Sequence, residues 1–285
     1  MTPTPVAAVR YVTPLREGGS LPAVVEGDDG RLWVAKFRGA GQGPKVLVAE
    51  WVAGALAKAI GLPVPEIVPL SLDARFGVAE RDPEIRALLA ASAGLNLGMA
   101  FLPEAFGFDP LHADRVAPEL AARIVWFDAL VTNIDRTARN PNLLWSGGAL
   151  WLIDHGASLY VAHGWRDAAA RAAAPFGPIA DHVLLGAASA DAMRAADADW
   201  AERLDGAALS DALDSVPDAW LAGDAVHPTP EAHREAYRAF LSTRLAPPRA
   251  WAAAAADAVA QAAGRAPASP DRGRAARPEN RGDAR

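Results

Sequence analysis

The sequence predicts an α+β protein in two lobes, the first β-rich with one main helix and the second mostly helical. Three observations predict it. Short β-rich segments at 6–12, 21–26 and 31–37 are separated by Gly-containing turns. From about residue 115 onward the apolar pattern turns helical. With 285 residues, 51% of them hydrophobic and 22% charged, the chain can bury one large core or two that merge.

The first lobe spans 1–102. Glu17-Gly18-Gly19-Ser20 separates the first two strands, and Gly27-Asp28-Asp29-Gly30 marks a hairpin, because Asp-Gly pairs tolerate the positive φ of tight turns. A Gly/Pro loop, Gly39 to Pro44, precedes a helix over 45–60 that stops at Gly61 with Pro63 behind it. Strands at 66–72 and 95–101 flank a helix at 83–92. The second lobe, 103–264, follows a linker near 102–114. Pro118 opens a helix to about Val131, where its missing N–H costs nothing. Apolar runs at 142–145 and 149–153 flank Gly147-Gly148 as a hairpin, and helices follow near 188–204, 208–215, 229–245 and 249–263.

The net charge is −6, from 28 Lys plus Arg against 34 Asp plus Glu. Residues 265–285 hold six Arg against Asp271, Glu279 and Asp283, a balance of +3, so the rest carries −6 − 3 = −9. Nearly free of large apolar groups, this basic tail is expected to be disordered. An acidic body is a poor partner for nucleic acid, whose affinity rests on neutralising phosphates. The absence of Cys excludes disulfide scaffolds, thiolate metal sites and cysteine nucleophiles. No apolar run is long enough for a membrane span, and the N-terminus does not read as a signal peptide, so a cytoplasmic protein is expected. H-E-x-x-H and G-x-S-x-G are both absent. The nine Trp are scattered through apolar patterns and read as core.

Chemistry concentrates in Asn133-Ile134-Asp135-Arg136-Thr137-Ala138-Arg139-Asn140, a polar loop between an apolar helix and an apolar hairpin. Holding polar side chains between two buried elements is costly unless they are used. Asp135 and Asn140, five apart, suit a base that takes a hydroxyl proton and an amide that ligates a metal. The second hairpin strand ends in Asp154-His155-Gly156, which places a carboxylate at the end of a buried strand. Asp135, Asn140 and Asp154 are hard oxygen donors of the kind Mg²⁺ takes together with substrate phosphates. Alone, Asp154 also reads as a helix cap. In Leu32-Trp33-Val34-Ala35-Lys36-Phe37 both strand faces are apolar, so the Lys36 ammonium needs a partner. Glu50, a lone acid on an apolar helix face, is one candidate; snorkelling of Lys36 to the strand end is the other. Gly39 to Lys45 mimics a P-loop in position only, since Val46 stands where the magnesium-binding hydroxyl must be.

In order, a Gly turn between strands, Val34-Ala35-Lys36, a helical Glu, D-x-x-x-x-N and D-x-G form the series of parts found in protein-kinase-like phosphotransferases. N-x-D-R-x-x-x-N followed by L-x-D-x-G resembles HipA-like kinases and, more distantly, the D-R-H-x-x-N loop of phosphoinositide kinases. The resemblance covers about 10–245, with 133–156 its specific part. It implies a two-lobed protein-kinase-like fold and an ATP- and Mg²⁺-dependent kinase acting on a hydroxyl acceptor, most naturally protein Ser/Thr. It further implies that Asp135 is the base, Asn140 and Asp154 are magnesium ligands, and Lys36 braced by Glu50 holds the ATP phosphates. Gly18, Gly19 and Ser20 would cover those phosphates, and the stretch at Met99 to Pro103, with Phe101 and Leu102, would be the hinge offering backbone groups to adenine. Asn133 and Arg136 would shape the loop, Arg136 also reaching a phosphate. The chain departs from these patterns at Thr137, where D-R-H loops have His, and at His155, where D-F-G has Phe. It is also short for the extra N-terminal subdomain of full-length HipA toxins. A nucleotide-binding pseudokinase serving as an interaction module is one alternative. A small-molecule phosphotransferase of the aminoglycoside or choline kinase type is another, although those loops place His where Ile134 stands.

Overall fold

The structure, a computed structural model, describes residues 3–15, 21–41, 43–78 and 80–264. The Gly18, Gly19, Ser20 turn and the 265–285 tail lie outside the described residues. The architecture is mixed α+β, sheet-rich toward the N-terminus and helical toward the C-terminus.

Five strands close into a barrel in the order β1-β2-β3-β5-β4: β1 (Val6–Pro14), β2 (Ala23–Gly27), β3 (Leu32–Lys36), β4 (Ile67–Leu72) and β5 (Gly94–Ala100). Every pairing is antiparallel except β1 with β4, which is parallel and seals the barrel. Closure leaves no free edge to template another chain. The β2–β3 hairpin turns through Gly30 at φ 75, where Gly meets no steric cost. Strand alternation then sorts β3: Trp33, Ala35 and Phe37 fill the barrel, whereas Val34 joins Leu97 and Met99 in a larger core shared with the helices. Lys36 lies on the Val34 face, paired in register with Leu97.

Helix α1 (Pro44–Ala59) starts with Pro in its first turn and is buried over most of its circumference, Glu50 included. Its Trp51 indole donates to Ser215 Oγ at 2.9 Å and meets Trp220 edge-on at 5.6 Å. Trp220 in turn donates to the Leu95 carbonyl at 3.0 Å, so sheet and helices share one interior. Helix α2 (Pro83–Ala91) is capped by Asp82, whose carboxylate accepts from Glu84 and Ile85 N–H.

Helix α3 (Pro118–Leu130) is the axis of the helical region, with Ile124, Val125, Trp126 and Phe127 all fully buried. The linker expected near 102–114 is not structureless: Phe106–Gly107 forms β6, paired with β7 (Leu143–Ser146), which pairs with β8 (Ala149–Leu152). The β7–β8 turn places Gly147 and Gly148 at φ 57 and 76, the double positive φ that a tight hairpin demands. Helices α4 (Ala168–Ala173) and α7 (Asp218–Leu221) are too short to show helical periodicity in sequence; α5 (Ala190–Arg203), α6 (Gly206–Asp214), α8 (Pro230–Leu245) and α9 (Ala250–Ala263) lie where it places them. Arg244 on α8 is buried and makes no ion pair among the described residues. Its guanidinium donates to the Ala129 and Leu130 carbonyls at the end of α3 and to Ala172 at the end of α4, satisfying helix C-termini that would otherwise be orphaned. Among the described residues no helix is long and apolar enough to cross a membrane.

Candidate active site

The end of β3 brings Lys36 beneath α1. Its Nζ donates to Glu50 Oε2 at 2.7 Å and to Asp154 Oδ1 at 2.8 Å, a residue 118 positions away. Of the two readings left open for Lys36, the structure shows pairing. Burial alone would lower the Lys36 pKa, but Glu50 and Asp154 outweigh it and hold the ammonium above its ordinary value. Burial would likewise raise Glu50, yet Lys36 and then His155 bring it down to about 2. The cluster is graded in exposure: the Glu50 side chain is 2% exposed, Lys36 11% and Asp154 47%.

Asp154 has φ 53, a left-handed conformation that Asp tolerates better than most residues. Gly156 is needed for closeness rather than for φ. A Cβ there would lie 2.5 Å from Val46 Cγ1 and 3.7 Å from Glu50 Oε2, so only Gly lets the chain leave β8 tight under α1. His155 is buried, edge-on to Phe127 at 6.1 Å, with Nδ1 3.8 Å from Glu50 Oε1.

The loop after α3 presents Asp135 half-buried and Asn140 exposed. Asn140 Nδ2 donates to Asp135 Oδ2 at 2.7 Å, and Asn142 Nδ2 reaches the same oxygen at 3.4 Å. Asn133 Oδ1 accepts the Asp135 N–H at 3.0 Å while its amide donates to Asp128. Thr137 closes the turn, its N–H donating to the Asn140 carbonyl at 3.1 Å and its carbonyl accepting from Asn140 N–H at 3.2 Å. The Asn142 carbonyl also accepts from Ile153 N–H at 3.1 Å. Asp135, reached by Asn142, and Asp154, next to Ile153, therefore meet at one backbone hydrogen bond just beyond the hairpin, and Lys36 ties Asp154 to α1.

Beneath the loop lies a second ionic cluster. Asp128, fully buried on α3, accepts from Arg136 Nε and, at 2.9 Å, from His182 Nε2. The Leu184 N–H donates to His182 Nδ1, so the imidazole proton sits on Nε2. Burial pushes the His182 pKa down against the pull of Asp128, keeping the ring neutral. Asp128 itself is well below the carboxylate range: burial opposes this, but Arg136 and His182 prevail. Arg136 Nη2 reaches the other Asp128 oxygen at 3.5 Å, and Nη1 donates to the Asn142 and Ile153 carbonyls. That geometry corrects one expectation. With its side chain fully buried and turned to Asp128, Arg136 shapes the loop and offers nothing to a phosphate.

At the hinge expected after β5, the Phe101 N–H donates to the Leu32 carbonyl and so is not available to a base, while its ring is 39% exposed; Leu102 follows it out of the barrel. Lys45, at the P-loop-like position, pairs with Asp224 at 2.7 Å and donates to the Ala162 carbonyl. Asn142, Asp128 and His182 were missed in the sequence. Asn142 repeats the Asn140 residue type two positions on. Asp128 showed the same signal as Glu50, one acid on an apolar helix face. His182 gave no local signal.

Magnesium takes hard oxygen donors and keeps several waters. Among the described residues no three His, Cys, Asp or Glu side chains group as a metal cage. Asp154 Oδ2, Asp135 Oδ1 and Asn140 Oδ1 nevertheless accept no hydrogen bond from the described residues. Two carboxylates and an amide, open to solvent, fit an ion that keeps waters and is completed by phosphates. They do not fit one held by protein alone.

Comparison with known proteins agrees with the geometry. The family described as HipA-like kinase matches residues 9–244, and the chain belongs to that family. Among solved structures the chain is similar to the crystal structure of the proinflammatory kinase CtkA of Helicobacter pylori. The identity is 13% and the TM-score 0.54, over 89% of this chain and 98% of that one. At that identity the likeness speaks for the fold. No curated protein matches the chain. The family match supports a kinase, as the Asn133 to Gly156 motif implied.

Proposed function

We propose that this chain is an ATP- and Mg²⁺-dependent kinase that phosphorylates a protein Ser or Thr hydroxyl. In this reading residues 1–102 form the lobe that covers the nucleotide and 103–264 the lobe that carries the catalytic loop. The observation that carries it is Lys36 joined at once to Glu50 and Asp154. A buried acid braces the ammonium from behind, and a half-exposed acid shares it in front, where phosphates compete for it.

Asp135 accepts the proton of the acceptor hydroxyl as its oxygen bonds to the γ-phosphorus and ADP departs. Asn133 fixes the Asp135 backbone, and Asn140 and Asn142 aim its carboxylate. Lys36 neutralises the α/β-phosphates, Gly18 to Ser20 cover them, and the Phe101 ring and Leu102 flank adenine. Asn140 and Asp154 would hold a magnesium ion, which would supply charge neutralisation for the transferred group. The two departures from the motif have packing explanations that leave these roles intact: His155 fills a buried place against Phe127, and Thr137 closes the loop.

The test is transfer of labelled γ-phosphate from ATP, autophosphorylation included, by wild type and Asp135→Asn. A positioned base contributes about 100- to 10,000-fold, and a loss in that range is expected. Equal incorporation by the two proteins removes Asp135 as the base. Thermal stabilisation by Mg-ATP with no transfer at all establishes the pseudokinase instead.

A further inference from the structure

Beside the catalytic loop lies a slot of about 210 Å³ that none of the roles above uses. Thr132, Ile134, Tyr160, Phe176 and Pro178 are among the residues that line it. Ile134 immediately precedes Asp135, so the slot opens next to the proposed base. Ile134 and Tyr160 are each 43% exposed, two large apolar groups left in water around one slot. Arg244 also lines it, its guanidinium turned to the Ala129, Leu130 and Ala172 carbonyls. At the rim, exposed Arg171 makes no ion pair among the described residues, and no carboxylate lines the slot.

From this slot we infer that the acceptor is a polypeptide segment carrying a bulky apolar side chain close to its phosphorylated hydroxyl and an acidic residue within reach of Arg171. The inference rests on the kinase reading above and deepens it. Volume argues for a segment: whole small ligands occupy pockets of about 300–1,000 Å³, so this slot takes one side chain of something longer. Charge argues for its chemistry. A polycationic acceptor such as an aminoglycoside would meet Arg171 and find no carboxylate, whereas an acidic segment gains a partner for a cation that lacks one.

The experiment uses the full chain, Mg-ATP and a positional peptide array in which each site around one Ser is varied. Alongside it, wild-type ATP hydrolysis without acceptor and phosphorylation of kanamycin are measured. The expected result is selection of a large apolar residue at one position and of Asp or Glu at another. Arg171→Glu, an exposed change, should convert the acidic preference into a basic one. Ala174→Trp, which fills the slot, should erase the apolar preference and raise peptide KM by about tenfold or more, the signature of lost ground-state binding. ATP turnover with peptide phosphorylation indifferent to both variants overturns the slot and leaves the kinase standing. So does transfer to kanamycin in preference to peptide. Absence of any ATP turnover by wild type overturns the kinase reading and the slot with it.

Discussion

Two ionic clusters, each assembled from residues far apart in sequence, behave oppositely. Lys36, Glu50 and Asp154 join a base to two acids, with exposure rising from 2% at Glu50 to 47% at Asp154. Asp128, Arg136 and His182 join an acid to two nitrogen donors with every side chain sealed away from solvent. The first leaves a carboxylate oxygen uncommitted; the second satisfies its acid from both sides and turns its arginine to backbone carbonyls. Charge and burial alone do not distinguish a site from a scaffold. An unspent polar atom facing solvent does, because only such an atom can exchange its partner for a ligand.

The comparison breaks first at Asp128. Asp128→Ala leaves the buried Arg136 charge uncompensated and the loop carbonyls without their organiser, and should destabilise the fold by about 3–5 kcal/mol in urea unfolding. A loss no greater than that from truncating Asp154 would abolish the distinction between the clusters.

Acid unfolding sharpens the comparison next. Glu50 is held at about 2 against its ordinary 4.5, so its stabilisation is complete above pH 4.5 and disappears as pH falls toward 2. Over that window the contribution is about 3 kcal/mol. Asp128 shifts in the same direction, so the quantity to measure is the difference between wild type and Glu50→Gln. The variant should lose stability less steeply between pH 4.5 and 2. Parallel curves would mean that Glu50 gains nothing from Lys36.

The smallest stability effect belongs to Asp154. Half-exposed, it should cost less than about 1 kcal/mol when replaced by Ala, as exposed ion pairs do. The same replacement should abolish labelled-phosphate transfer. A large melting-temperature loss with transfer retained would move Asp154 from the site to the scaffold.

Much of this was legible along the chain. Turn residues and periodicity located the barrel strands, α1, α3 and the β7–β8 hairpin, because those signals are local. Lys36 and Glu50 stood out as charges set in apolar surroundings. Asp128 stood out no less, yet its partner His182 lies 54 positions away and gives no sign of itself.

The sequence by itself determined which residues could do chemistry: a Lys on a strand with two apolar faces, an Asp and Asn five apart, an Asp ending a buried strand. Tertiary structure decided how they combine. Parallel pairing of β1 with β4 closes the barrel, and Lys36 meets Asp154 across 118 positions. Arg136, polar in sequence and placed in a polar loop, ends fully buried because Asp128 waits beneath it. The physical reason is the same throughout. Periodicity and turn chemistry act between near neighbours, whereas ion pairing and burial are settled only when distant segments pack.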